Sequence, residues 1–165
     1  MADLIELSTR FIDSGVLDQP ANRITHELSE LEDGLAVVEA FSHSILFETD
    51  GGLLAFDASG GMGGDRVVKA IRGWSGKPFH TLVYTHGHVD HVGGSGHFLA
   101  DAEARGDARP RVAGHENVAR RFERYDLTNG FNLLINDRQF RGFQKRGYAI
   151  GGGRHFLPPD ALPVD

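Results

Sequence analysis

The sequence predicts an α/β layered domain, and three observations carry that expectation. Short runs rich in Val, Ile, Leu and Phe follow one another between residues 25 and 56, divided by Asp33-Gly34 and Asp50-Gly51-Gly52, the punctuation of hairpins. From Asp57 onward, helical spacing alternates with short apolar runs, the order of strand–helix–strand units. Glycine accounts for 22 of 165 residues, well above the usual share of about 7%, which points to tight turns and close backbone approaches.

Taken in order, Leu4, Ile5, Leu7, Phe11 and Ile12 mark a helical start that breaks at Gly15 and Pro20. Strands are expected at Thr25–Leu28, Leu35–Val38, Ser44–Phe47 and Leu53–Phe56. The run Ala58–Gly64 reads as a loop, after which Asp65 is placed to cap a helix with Val67, Val68, Ile71 and Trp74 on one face. Although glycine-rich, 60–64 lacks the Gly-Lys-Ser/Thr ending of a phosphate loop and the spacing of a dinucleotide fingerprint. A strand follows at Thr81–Tyr84, then a helix around 96–105, a short strand at Arg111–Ala113, and a helix presenting Val118, Phe122 and Tyr125. Beyond Asn129, glycines and asparagines interrupt the pattern, and no further helix or strand is expected.

Charge and composition exclude several function classes. The net charge is −6, without a basic stripe able to track a phosphate backbone, so nucleic acid is not expected as a partner. Residues 1–100 hold 6 Lys/Arg against 14 Asp/Glu, whereas residues 101–165 hold 11 against 9. The basic residues there (Arg120, Arg121, Arg124, Arg138, Arg141, Lys145, Arg146) read as a solvated face. With no cysteine in the chain, disulfides and thiolate metal sites are ruled out. The first residues lack the basic and apolar regions of a signal peptide, and no run approaches the ~20 apolar residues of a membrane span. The expectation is therefore a cytoplasmic protein acting on a small molecule, with no membrane partner.

The chemistry concentrates at Thr85-His86-Gly87-His88-Val89-Asp90-His91-Val92-Gly93-Gly94, directly after the strand Thr81–Tyr84. In extended backbone, residues i and i+2 point the same way, so His86 and His88 can converge on one ion. Asp90 and His91 follow where the chain turns, offering a carboxylate and an imidazole to a second ion. Nitrogen and oxygen donors without sulfur suit zinc first, then manganese or iron. Lone histidines such as His26, His43, His80 and His155 read instead as structural or surface residues.

His-x-His-x-Asp-His after a buried strand, followed by Gly-Gly, resembles the metal-binding motif of the metallo-β-lactamase superfamily of hydrolases. Residues 112–118 and 121–125, with Asn136–Phe140, are similar to its alkylsulfatase-like branch. The resemblance implies an αβ/βα sandwich of two sheets flanked by helices. It assigns His86 and His88 to a first zinc, Asp90 and His91 to a second, and Asp57 to a supporting position beside the metals. Asp90 is also implied as the catalytic residue that orients a bridging hydroxide. His115 comes 24 residues after His91, too soon for the family's next histidine motif, and is expected to have an N-terminal capping or structural role.

The expected function is metal-dependent hydrolysis of an ester-type bond, such as an alkyl sulfate, thioester or lactone, by zinc-bound hydroxide. The four motif residues do not complete two metal sites, and no second sheet is legible. Residues 1–165 therefore read as a single partial domain, the amino-terminal half of a longer hydrolase. The alternative is a catalytically silent fragment or metal-binding module lacking the later ligands.

Overall fold

A computed structural model describes residues 3–20, 22–140 and 155–165. The segment with Arg141, Lys145, Arg146 and the glycines of 142–153 lies outside them.

Twelve elements are ordered along the described chain: α1 (Leu4–Ser14), β1 (Leu28–Glu32), β2 (Leu35–Val38), β3 (Ser44–Thr49), β4 (Gly52–Phe56), α2 (Gly64–Trp74), β5 (Phe79–Val83), α3 (Val89–Val92), α4 (Ser95–Arg105), β6 (Arg111–Ala113), α5 (Asn117–Leu127) and α6 (Asn129–Gln139). The six strands form one sheet in sequence order. β1 to β4 pair antiparallel through short turns. β5 and β6 then add in parallel, each after a helical crossover. One sheet with flanking helices is the arrangement expected for the first half of the sandwich.

Alternation along the strands decides which face is covered. Ala36, Leu46, Ala55, Leu82 and Val112 are buried, and Val67, Val68 and Ile71 of α2 and Phe98 of α4 complete the same core. Phe79 and Phe98 meet with ring centroids 4.7 Å apart, and Arg72 of α2 ties to Asp101 of α4 at 2.6 Å. On the opposite face Ile45 and Phe47 remain exposed.

Three local expectations are corrected. The first strand is Leu28–Glu32, not Thr25–Leu28: His26 takes φ 57°, which ends the extended run, although its amide still reaches the Glu39 carbonyl at 2.7 Å. The cap of α2 is Gly63 without a side-chain hydrogen bond, and Asp65 lies inside the first turn, where its charge suits the helix dipole. Residues 129–139 form α6 despite their asparagines. Asn132 Nδ2 donates to Thr128 Oγ1 at 2.8 Å and Asn136 Nδ2 to the Asn132 carbonyl at 2.9 Å, so these side chains bond within the helix instead of competing with it.

Residues 155–165 carry no helix or strand, but they are not loose. Leu162 is buried, its amide donates to Ser95 Oγ at 2.8 Å, and its carbonyl accepts from the Tyr84 hydroxyl at 2.9 Å. Burial pushes the Tyr84 phenol up to about 12. Asp165 continues the edge of β6, its amide donating to the Val112 carbonyl at 3.0 Å.

Candidate metal centre

The site stands at the carboxyl ends of β4 and β5, one of the two parallel pairs of the sheet, where open α/β sheets present their ligands. β4 delivers Asp57 and β5 delivers the segment from Tyr84 to His88. Two loops leave these ends and lie against one another. The Ala58 amide donates to the His91 carbonyl at 2.7 Å, and the Gly94 amide to the Ser59 carbonyl at 2.9 Å. This approach demands Gly94, because a Cβ there would fall 2.1 Å from the Ala58 oxygen.

His86 and His88 do converge. Nε2 of His86 lies 2.9 Å from Nδ1 of His88. Two nitrogens on one tetrahedral zinc, each bonded at about 2.0–2.1 Å, would sit roughly 3.3 Å apart, so this pair already has nearly the spacing a shared ion imposes. The short helix α3 carries Asp90 and His91, whose Oδ2 and Nε2 are 3.6 Å apart, again close to ligand spacing. The His86 and His91 rings approach to 4.1 Å between centroids, so the two pairs adjoin. Among the described residues no group of three or more His, Asp or Glu side chains converges on a single point. The donors are two pairs, and their chemistry and spacing fit zinc, with each pair short of a full coordination set.

Asp57 bonds His91 directly and reaches His86 through Thr85. Its Oδ2 lies 2.6 Å from Nδ1 of His91, which must be the protonated nitrogen to bond a carboxylate. Nε2 of His91 then keeps its lone pair toward Asp90, the second-shell arrangement that fixes a ligand's tautomer. The Asp57 carboxylate also accepts from the Thr85 amide at 2.8 Å and the Thr85 hydroxyl at 2.7 Å. Since that hydroxyl has spent its proton on Asp57, it accepts from Nδ1 of His86 at 3.0 Å, leaving Nε2 of His86 unprotonated and facing His88.

The electrostatics follow from these bonds. Burial pushes the Asp57 carboxyl up, but hydrogen bonds from His91 and from the amide and hydroxyl of Thr85 outweigh it and hold Asp57 below the ordinary aspartate value. The same bond to Asp57 raises His91, against the opposing effect of its own burial. Desolvation lowers His88, and the neighbouring His86 and Arg121 lower it further.

Ser42 is a site residue that sequence reasoning missed. Its hydroxyl donates to Asp90 Oδ2 at 2.8 Å from 48 positions away, and nothing in its local sequence signals the role. Thr85 stood inside the motif, but its part in orienting His86 and Asp57 is visible only in three dimensions. His115 behaves as expected, with Nδ1 accepting the Asn117 amide at 3.2 Å at the start of α5. His97, six residues after His91, contacts the Gly61 carbonyl at 3.0 Å. His43 and His80 bond locally, to the Ala40 amide and to Thr81. A cavity of about 460 Å³ between α4 and residues 159–163 contains no motif residue.

Comparison with known proteins places the fold. The family model of the metallo-beta-lactamase superfamily matches residues 37–155. A metallo-beta-lactamase of Cronobacter sakazakii with a HARLDQ motif is similar in structure at a TM-score of 0.55 and 17% identity, over 87% of this chain and 46% of its own. A double mutant of the sec-alkyl sulfatase PisA1 is similar at a TM-score of 0.53 and 21% identity, over 65% of this chain and 17% of its own. This chain thus spans less than half the length of either protein, and the likeness is one of fold. No curated protein matches the sequence. The family model extends over most of the chain and across the whole His-x-His-x-Asp-His segment, and on that ground the chain belongs to the metallo-beta-lactamase superfamily.

Proposed function

We propose that the chain is a metal-dependent hydrolase of ester-type bonds, with alkyl sulfates, thioesters and lactones as the substrate classes. Its metal donors are His86 and His88 as one pair and Asp90 and His91 as the other, with zinc the metal that suits them best. The observation that carries this reading is the pairing itself: two sets of donors at ligand spacing, 2.9 Å and 3.6 Å, presented at the carboxyl ends of β4 and β5, with His91 oriented by the buried Asp57 and His86 by Thr85. A set of surface histidines would not have its tautomers fixed by Asp57 and Thr85.

Zinc bound by these donors supplies Lewis acidity toward the scissile group and a nucleophilic water at neutral pH. The protein's own residues do the rest. Asp57 holds His91 with its lone pair directed at the site, and Thr85 does the same for His86. Asp90 presents an oxygen that can accept the proton of an attacking water, the general-base part. Ser42, by donating to that carboxylate at 2.8 Å, sets its direction. The alkylsulfatase-like segments favour an ester of an anionic acid among the substrate classes.

The test is zinc stoichiometry measured together with turnover. Wild-type protein dialysed against zinc should retain it, and His86→Ala/His88→Ala and Asp90→Ala/His91→Ala should each lose the share held by one pair. Hydrolysis of 4-nitrophenyl acetate or 4-nitrophenyl sulfate should vanish in both variants. Zinc retention unchanged by both double variants would refute the ligand assignment. Zinc binding with no turnover on any ester would leave a metal-binding module and refute the hydrolase.

A further inference from the structure

We propose that Arg121 is the anion-recognition residue of this site, its guanidinium taking a negatively charged oxygen group of the substrate beside the His86–His91 donors. The inference rests on the metal-centre reading above and adds the substrate group that the site selects.

Three observations carry it. The first is position. Arg121 lies on α5, and its stem packs against the motif backbone. A Cβ on Gly87, the residue between His86 and His88, would meet Arg121 Cβ at 3.0 Å and Cγ at 3.1 Å. Gly87 is thus the glycine that lets the arginine lie alongside the two histidines.

The second is an unanswered donor. Nε of Arg121 is buried and has no hydrogen-bond partner. A buried N–H without an acceptor costs free energy, and most such groups in native proteins are satisfied. Arg10, Arg23, Arg72, Arg105 and Arg109 each hold a carboxylate, whereas Arg121 forms no ion pair among the described residues. Its visible contact is with the Tyr125 ring, 5.0 Å from the guanidinium carbon to the centroid. That stacking holds the plane of the group, and Nε is the donor left without an acceptor.

The third is contrast within one helix. Arg120 and Arg124 are exposed, as the solvated-face reading of this charge run predicts, while Arg121 is half-buried. A guanidinium keeps its charge at any working pH and offers donors in a fixed fork that matches carboxylate, phosphate and sulfate oxygens. An acceptor-rich anion would satisfy the orphan Nε and offset a charge that has no ion pair among the described residues. The fitting substrates therefore carry a sulfate or carboxylate group close to the bond that is cut.

The test follows the Nε–H of Arg121 directly by ¹⁵N–¹H NMR of the full chain, with and without zinc. Methyl sulfate, acetate and the neutral dimethyl sulfone serve as probes. The expected result is a saturable shift of the Arg121 Nε–H and the Gly87 amide with an anion and none with the sulfone. Whichever of methyl sulfate and acetate binds more tightly names the group. Arg121→Gln should weaken that binding at least tenfold, Arg120→Gln should leave it unchanged, and Arg121→Lys, which keeps stem and charge without the fork, should fall between. Zinc content should be equal in all four proteins. An Nε–H that stays still with both anions, or an Arg121→Gln variant that binds them like wild type, would overturn the proposal while zinc loads normally. Failure of the wild type to load zinc would strike the metal-centre reading instead, and it is seen before any variant is made.

Discussion

Replacing Asp57 with Asn removes one charge, keeps the shape of the side chain, and should cost both stability and metal affinity. Asp57 is only 6% exposed. It accepts the Thr85 amide at Oδ1, 2.8 Å, and the Thr85 hydroxyl and His91 Nδ1 at Oδ2, 2.7 and 2.6 Å. Its φ is 61°, a conformation asparagine adopts nearly as readily as aspartate, so the backbone has no reason to move. The Asn amide oxygen can keep the Thr85 N–H, but its NH₂ then opposes two donors where the carboxylate accepted both. Hydrogen bonds to a charged group contribute about 1.5–3 kcal/mol each. Because the two lost bonds share one oxygen and are not additive, a net loss of about 2–4 kcal/mol follows. The chain holds one tryptophan, Trp74 at the end of α2, so urea unfolding can be followed by its fluorescence. Freed from Asp57, His91 can take either tautomer, and zinc affinity should fall 10- to 100-fold, the usual cost of losing such a partner. Asp57→Ala should lose roughly 1 kcal/mol more, since alanine resists positive φ. An Asp57→Asn protein matching wild type in both urea midpoint and zinc affinity would refute the anchoring role.

Three further outcomes are expected. Zinc at 100 times its dissociation constant should stabilise the fold by about 2.7 kcal/mol, which raises the melting temperature by roughly 5–11 °C for a chain of this size; EDTA should return the apo value in the same calorimetric scan. The Val112 amide and then Arg109 hold the Asp165 carboxyl below its ordinary value, so its contribution to stability is present above the unfolded aspartate pKa, near 3.9, and is lost as pH falls through the lower folded value. The gap in urea midpoint between wild type and Asp165→Asn should therefore be constant from pH 7 to 5 and close below about pH 4; a gap that grows toward acid would contradict that sign. Gly94→Ala would place a Cβ 2.1 Å from the Ala58 carbonyl oxygen and should cost at least about 1–3 kcal/mol by overpacking. Gly106→Ala, at φ 73° but with open space around it, should cost only the roughly 1–2 kcal/mol of left-handed backbone.

What could be read in the sequence was what is local. The strands 35–38, 44–49 and 52–56 announce themselves by alternation and by Asp-Gly turns, and α2 by Val67, Val68 and Ile71 on one stripe. The candidate donors were legible for the same reason, since His86 to His91 fall within one strand end and one helical turn. What joins distant positions was not. Ser42 reaches Asp90 across 48 residues, and its serine looks like any other in a loop. α6 lacks a buried stripe altogether, so the periodicity that reveals helices had nothing to act on. Arg121 looked like its neighbours Arg120 and Arg124 because a helix hides, in one dimension, which side faces a glycine of another segment.

The positive-φ residues at the site support a rigid rather than an adaptable centre. Asp57 and Ser59 are both non-glycine residues at φ near 60°, and each such position carries strain that persists only where surrounding contacts overdetermine it. Those contacts are visible. Between the two strained residues the Ala58 amide is bonded to His91, and the Ser59 carbonyl receives the Gly94 amide; Ser44 Oγ donates to the Asp57 carbonyl at 2.7 Å. The strained loop is thus clamped on one side by β3 and on the other by the turn that carries Asp90 and His91. A carboxylate fixed in this way directs His91 itself, and His86 through Thr85, without rearrangement, so the ordering cost of these side chains is met when the chain folds and not when an ion arrives. If so, Ser59→Gly, which relieves strain without touching a ligand, should leave stability unchanged or raise it slightly while lowering zinc affinity. Isothermal titration would show that loss as a less favourable entropy of binding, and an unchanged affinity in the Ser59→Gly protein would argue that the strain belongs to the fold alone.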